Sequence, residues 1–464
     1  MILSPAEMAA ATGGRLVGDG VPGRVCTDTR ALGPGDWFLA LVGDRFDAHD
    51  FLDQADAAGV AGVIAQRVPE GWTRGALVVE DTLIALQDLA RAARAKFDGR
   101  PVIGLTGSAG KTTTRAMIAA ALSSLGVIHQ NEGNLNNHIG LPLTLLAAPE
   151  HAAALVLEMG MSAPGEIALL QDIARPTLRL VTNVAAAHLE GAGSLDGVAA
   201  CKAELVDGAQ PGDLIILNAD DPRVDAMVAP GGARVLRYGA SIRSDVQLLE
   251  ASVDPDTLRT RAVIDTDAGQ LTAELIAPGR HLAHNAAAAA AVGRALGVAA
   301  DDIAAGLTEW RPVGMRMRVE RRALAAGGQV TVINDAYNAN PLSTRAALDT
   351  LALVGGGRQI ALLGDMLELG GAEDEAHSAI LAYAGGLGLD LVGFAGPRYT
   401  AARRTSRHPV TGANQAEGLV SAESADGLRD ALSGRLRSGD VVLIKGSRGM
   451  RMERVLQDLP LVED

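Results

Sequence analysis

The segment Gly104-Leu-Thr-Gly107-Ser-Ala-Gly110-Lys111-Thr112-Thr113-Thr114 constrains the fold more than any other stretch of this chain. Apolar Val102-Ile103 precedes it and suits a buried strand; Arg115-Ala-Met-Ile-Ala-Ala-Ala-Leu122 follows and suits a helix. A strand turning through glycines into a helix leaves unpaired backbone N–H groups and the positive end of the helix dipole aimed at one place, a cradle for phosphate. Lys111 adds a cation for the β- and γ-phosphates, and the Thr112 hydroxyl suits Mg²⁺. The first glycine usual in such loops, five residues before Gly110, is Leu105 here. A plain glycine turn beside a solvated lysine does not account for Gly-Lys-Thr-Thr in this context. Gly107, Ser108, Ala109, Gly110, Lys111, Thr112 and Thr113 are therefore the expected phosphate contacts, and ATP with Mg²⁺ the expected cofactors.

A chain of 464 residues exceeds what one ordinary core supports, so two to four domains are expected. The net charge of −14 excludes a nucleic-acid-binding surface, so an anionic nucleotide must be held by local cations. Met1-Ile-Leu-Ser-Pro-Ala-Glu-Met carries no basic segment ahead of an apolar core, which argues against a secretory signal. No apolar run reaches the ~18 residues of a membrane helix. Cys26 and Cys201, far apart in a large chain, fit a reducing compartment. The expectation is a cytoplasmic monomer without membrane insertion.

Short strand-like runs open the chain (Trp37–Val42, Val60–Ala65, Ala76–Val79), with an alanine-rich helix near 51–58. Leu83, Leu86, Leu89 and Ala93 repeat at helical spacing and lead into the phosphate loop, which sets a boundary near residue 82. From there to about 313, strands at Leu155–Leu157, Leu178–Val181 and Leu214–Leu217 alternate with helices. That pattern implies a parallel, helix-covered sheet with its site at the strands' carboxyl ends. The run Asn285–Val292 reads as a tightly packed helix. After Trp310-Arg-Pro312 strands recur at Val330–Ile333, Ile360–Leu363, Leu391–Phe394 and Val441–Ile444, a Rossmann-like pattern without the dinucleotide glycine fingerprint. The fold class is thus α/β in three domains: 1–81, a central phosphate-loop domain 82–313, and 314–464.

Polar residues at strand ends carry the remaining chemistry, each with a plainer alternative. Glu158, just after an apolar strand, is a hard oxygen ligand for Mg²⁺ or a helix cap. His188 in a loop is a ligand or a structural histidine. Lys202, on helical pattern alone, belongs to a solvated face. Asp335, Tyr337 and Asn338 follow a strand, where they can meet a ribose or form an Asx-rich turn.

The ordered set Glu158-Met-Gly160, His188-Leu-Glu190, Cys201-Lys202-Ala-Glu204 and Asn334-Asp335-Ala-Tyr337-Asn338-Ala-Asn340-Pro341 resembles the Mur ligase family of ATP-dependent amide-forming enzymes. Asn131-Glu-Gly-Asn134-Leu-Asn136-Asn137, Leu363-Gly-Asp365-Met-Leu-Glu368-Leu-Gly370 and Ile444-Lys445-Gly446-Ser447-Arg448-Gly-Met-Arg451-Met-Glu453 are most similar to its branch that adds D-alanyl-D-alanine. Thr27-Asp28-Thr29-Arg30 and Gly43-Asp-Arg-Phe46-Asp47-Ala-His49-Asp-Phe51 are similar to the family's uridine-nucleotide domain. The resemblance implies UDP-N-acetylmuramoyl tripeptide and D-alanyl-D-alanine as substrates, joined through an acyl phosphate. It implies that Lys111, Glu158, His188 and Lys202 are catalytic, and that Thr112, Glu158, His188 and Lys202, the last carbamylated, hold metal. Asn285, Arg316, Asp335, Tyr337 and Asn338 would contact the adenosine, although a companion asparagine common in the family is Leu282 here. Thr29, Arg30, Phe46 and His49 would hold the UDP end, and Asn134, Asn136 and Asn137 the sugar and pyrophosphate. Lys445, Arg448 and Arg451 are the candidate cations for the dipeptide carboxylate.

Overall fold

The computed structural model describes residues 1–43, 46–405 and 418–462, and Asp44 and Arg45 of the uridine-type segment lie outside them. The described residues build an α/β architecture on three main sheets. The first has five strands in the order Arg15–Val17, Gly75–Val78, Gly62–Ala65, Trp37–Leu39, Val25–Cys26, parallel except at its Arg15–Val17 edge. A separate ribbon pairs Val42–Gly43 with Phe46–Asp47.

Asp81 caps the helix Thr82–Ala95, accepting from Leu83 N at 2.7 Å and Ile84 N at 2.9 Å. The helix buries Leu86, Leu89 and Ala93, the stripe its spacing predicts. Its apolar cluster holds Trp37 and Leu77 of the first sheet together with Leu141 and Leu155 beyond it, so one core joins the two.

The central sheet has nine strands. Ile128–Gln130, Ala154–Glu158, Val102–Thr106, Leu178–Val181, Leu214–Asn218, Arg234–Gly239 and Val246–Val253 run parallel in that spatial order. The alternating pattern continues no further. Thr260–Thr266 and Gly269–Leu275 add as an antiparallel hairpin, and the sheet is mixed where an all-parallel one was expected. Helix Arg280–Ala295 lies against this sheet and against helix Lys111–Ala121, with Ala286 to Val292 wholly buried. Alanine suits that position because small side chains let a helix pack closely on two neighbours.

The third sheet runs Arg318–Ala323, Gln329–Asp335, Val441–Lys445, Gln359–Gly364, Leu391–Ala395, Leu419–Ala422, parallel after its first pair. Its four predicted strands are all present. The antiparallel edge strand, rich in arginine and half-exposed, carries no apolar run to betray it.

Candidate active site

The carboxyl ends of the central strands and the third domain enclose a cleft of about 880 Å³. Its floor is the phosphate loop. Gly110 is left-handed (φ +80°), and a Cβ there would lie 2.9 Å from Asn285 Oδ1, so the loop and helix Arg280–Ala295 touch through a glycine. A Cβ on Gly107 would collide with the Thr182 hydroxyl. Asn183 fixes the loop from behind: its carbonyl accepts from Ser108 N at 3.1 Å and its Oδ1 from Ala109 N at 2.8 Å. The first-turn N–H groups of helix Lys111–Ala121 have no carbonyl one turn earlier, and the residues that carry them, Lys111, Thr112 and Thr113, line the cleft. Lys111 Nζ folds back onto Gly107 O at 2.8 Å. Burial pulls its ammonium below the ordinary value, and Glu158 opposes that shift.

Glu158 ends its strand 2% exposed, and its carboxylate meets the side chains of Arg115 and Asn136 rather than helix N–H groups, so the cap alternative falls. Arg115 Nη1 lies 3.3 Å from one carboxylate oxygen, and Asn136 Nδ2 donates to the other at 2.8 Å. Asn131 Oδ1 accepts from Glu158 N at 2.7 Å. A carboxylate offers about four lone-pair positions, so room remains for a cation. Thr112, also buried, joins it on the cleft wall. These are hard oxygen donors of the kind Mg²⁺ takes beside phosphate oxygens. Asn134, Asn136 and Asn137 line the same wall; Asn137 Oδ1 also accepts from Gly140 N at 2.8 Å, where helix Gly140–Ala147 begins.

His188 lines the cleft, and its Nδ1 meets Glu368 of the third domain at 2.7 Å. Lys202 is 1% exposed, not on a solvated face. It is buried behind the cleft wall, where desolvation and the nearby Lys111 ammonium push its own ammonium well below its ordinary value. Glu204 caps helix Glu166–Ala174 instead, accepting from Gly165 N at 2.7 Å and Ala168 N at 2.9 Å.

The opposite wall carries Asn285, Arg316, Asp335, Tyr337 and Asn338. Arg316 stacks over the Tyr337 ring, 3.6 Å from its centroid. Asp335, at a strand end, accepts from Met317 N at 3.2 Å and from Lys445 Nζ at 2.5 Å, and Lys445 also donates to Asn338 O at 3.0 Å. Lys445 is therefore buried in the cleft wall beside Asp335, apart from the exposed Arg448 and Arg451; Arg448 pairs with Glu453 at 2.8 Å.

In the first domain Phe46 is 56% exposed. Arg30 is exposed and pairs with Asp28 at 2.7 Å, on the short helix Thr29–Ala31. His49 is buried. Its Nε2 accepts from Gln66 N at 2.9 Å, which makes Nδ1 the donor to Asp47 at 2.6 Å, so the ring orders its own domain.

Sequence reasoning missed Arg115, His281 and His284, and it named Asn340 and Glu368 only as motif residues without a role. Asn340 Nδ2 donates to Ser108 O at 3.2 Å, tying the third domain to the phosphate loop. His281 stands one helical turn before Asn285, an i, i+4 spacing that was available as a signal. Burial pushes it down to about 4, so it lines the cleft as a neutral ring.

Residues 105–293 match the Mur ligase middle domain, and residues 315–448 match the Mur ligase, glutamate ligase domain. The UDP-N-acetylmuramoyl-tripeptide–D-alanyl-D-alanine ligase of Bacillus subtilis is 38% identical over 94% of this chain and 92% of its own length. A crystal structure of MurF from Acinetobacter baumannii superposes with a TM-score of 0.86 at 30% identity, covering 99% of this chain and 98% of that one. MurF ligase from Thermotoga maritima in complex with ADP gives 0.78 at 29% identity, covering 94% and 96%.

Proposed function

The chain belongs to the Mur ligase family, and from that premise we propose how its cleft joins D-alanyl-D-alanine to UDP-N-acetylmuramoyl tripeptide at the expense of ATP. The observation that carries it is the convergence of Lys111, Thr112 and Glu158 on one wall, facing Asn285 and Asp335 on the other. The tripeptide carboxylate attacks the γ-phosphorus and ADP leaves, giving an acyl phosphate. The dipeptide amine then adds to that carbonyl, loses a proton, and expels phosphate. Both reactants of the first step are anions, so catalysis rests on cations placed where charge gathers. Lys111 neutralises the transferring phosphoryl group. Thr112 and Glu158, with His188 and a carbamylated Lys202 nearby, would hold Mg²⁺, which when bound would supply further charge neutralisation.

Gly107 to Thr113 cradle the triphosphate, Asn285 and Tyr337 with Arg316 flank the base, and Asp335, steadied by Lys445, meets the ribose. Phe46 stacks on the uracil, with Thr29 and Arg30 toward the UDP end. Arg448 and Arg451 are the cations left to meet the dipeptide carboxylate. The protein acts as a cytoplasmic monomer, its domains 1–81, 82–313 and 314–464 moving as units; among the described residues no helix is long and apolar enough to cross a membrane. Measured ADP release tests the substrates: it requires UDP-muramoyl tripeptide and D-alanyl-D-alanine together. Equal release with a single amino acid, or with no amine, would overturn the reading.

A further inference from the structure

One contact across the cleft's mouth has no place in that scheme. His188 stands in the left-handed region (φ +55°) at the start of helix Leu189–Ala192, and Glu368, which meets its Nδ1, is left-handed too (φ +65°). The two side chains come from different domains. Glu368 is 59% exposed, yet the turn that presents it is rigid. Asp365, wholly buried, accepts from Arg398 N and Tyr399 N at 3.0 Å each. Met366 N donates to His377 Nε2 at 3.0 Å and Leu367 N to Ser447 Oγ at 2.9 Å. Gly370 closes the turn against the other domain, its Cβ position 3.5 Å from Glu190 Cα. A non-glycine residue is held left-handed only where its surroundings over-determine it, and such positions gather at functional sites.

The chemistry of the pair is specific. A carboxylate accepting from Nδ1–H fixes the imidazole tautomer and leaves Nε2 as the lone-pair nitrogen. We propose that Glu368 is a positioning residue of the third domain that sets the tautomer and ring orientation of His188, so that the histidine is correctly presented only when the third domain is seated on the cleft. The proposal rests on a role for His188 in the reaction, and it makes completion of the site conditional on closure.

The test uses the full chain, labelled with ¹⁵N-histidine, with His188→Gln identifying the His188 resonances among the nine histidines. In the wild type the ring is the Nδ1–H tautomer. In Glu368→Ala it becomes a mixture, and kcat falls ~10–100-fold, as for other carboxylates that orient functional imidazoles. Glu368→Gln keeps an acceptor oxygen and restores most of the loss. Glu368→Gly relieves the left-handed backbone, so its thermal midpoint is no lower than wild type while kcat falls as in the alanine variant. An unchanged tautomer in Glu368→Ala, or a loss that glutamine does not restore, overturns the proposal. Full activity in His188→Gln instead overturns the role of His188, and the tautomer spectra report on Glu368 independently of that result.

Discussion

Lys111 and Lys202 are both lysines drawn out of water, and the consequences differ because their surroundings do. Lys111 faces Glu158 and the phosphate position, so it stays available as a cation. Lys111→Ala should lower turnover at least ~10²-fold, the scale of losing one transition-state donor, with an unchanged far-ultraviolet spectrum because the residue opens a helix at a loop. Near-normal turnover would contradict the phosphate cradle. Lys202 has burial and a second ammonium against its charge. An unprotonated amine adds CO₂: the N–C bond forms, a proton leaves, and a carbamate replaces a cation. Lys202→Ala should be severely impaired and partly rescued by acetate, and wild-type activity should fall in bicarbonate-depleted buffer and recover on its return. An ordinary rate for the alanine variant would remove this residue from the site. The burial was legible in principle. Val198, Cys201, Lys202 and Leu205 form one buried stripe at helical spacing, and the lysine sits inside it. The family resemblance supplied a role that local pattern alone assigned to solvent. Arg115 had no such help: it is the fifth residue of an ordinary-looking helix, and its burial against Glu158 depends on a strand end 43 residues away.

At the scale of elements, the parallel strands and the phosphate loop were legible because a buried parallel strand is a short apolar run and the loop has a fixed glycine spacing. The hairpin Thr260–Thr266 and Gly269–Leu275 was missed although Leu271, Ala273 and Leu275 alternate inward and a turn separates the strands. Expecting a helix after every strand hid a period of two. The loop's geometry makes a sharp prediction. Alanine at Gly110 must adopt φ +80° and place its Cβ 2.9 Å from Asn285 Oδ1. A left-handed L-residue costs ~1–2 kcal/mol, and displaced Asn285 disturbs the nucleotide wall. The KM for ATP should rise about tenfold, equivalent to about 1.4 kcal/mol. Gly99→Ala is the control: its φ is +74° with nothing within 4 Å, so it bears the same strain without the obstruction. Matching KM changes in both variants would show that strain, not the loop–helix contact, sets nucleotide affinity.

Across the whole molecule, the proposed nucleotide site lies between the central and third domains, which are tied by polar contacts among the described residues. Asn340 reaches Ser108 O at 3.2 Å and Glu368 reaches His188 at 2.7 Å, and between these contacts lies the cleft the substrates must enter. One apolar cluster also runs through both domains, but interfaces within a chain are modest and relative domain motion is the default expectation. On the proposed contacts, ATP would bridge Asn285 on one side and Asp335 on the other, add affinity only to the closed arrangement, and so shift the population toward closure by its differential binding. Solution scattering should therefore give a smaller radius of gyration with an ATP analogue and UDP-muramoyl tripeptide than without them. Removing one hydrogen bond is worth about 1 kcal/mol, so Asn340→Ala should move the unliganded equilibrium roughly fivefold toward open and raise the ATP KM by a similar factor. Saturating ligand should restore the compact profile, since binding then outweighs the lost tie. Profiles that superimpose with and without ligands would mean the seam is already locked, and the nucleotide would have to enter a cleft that never opens.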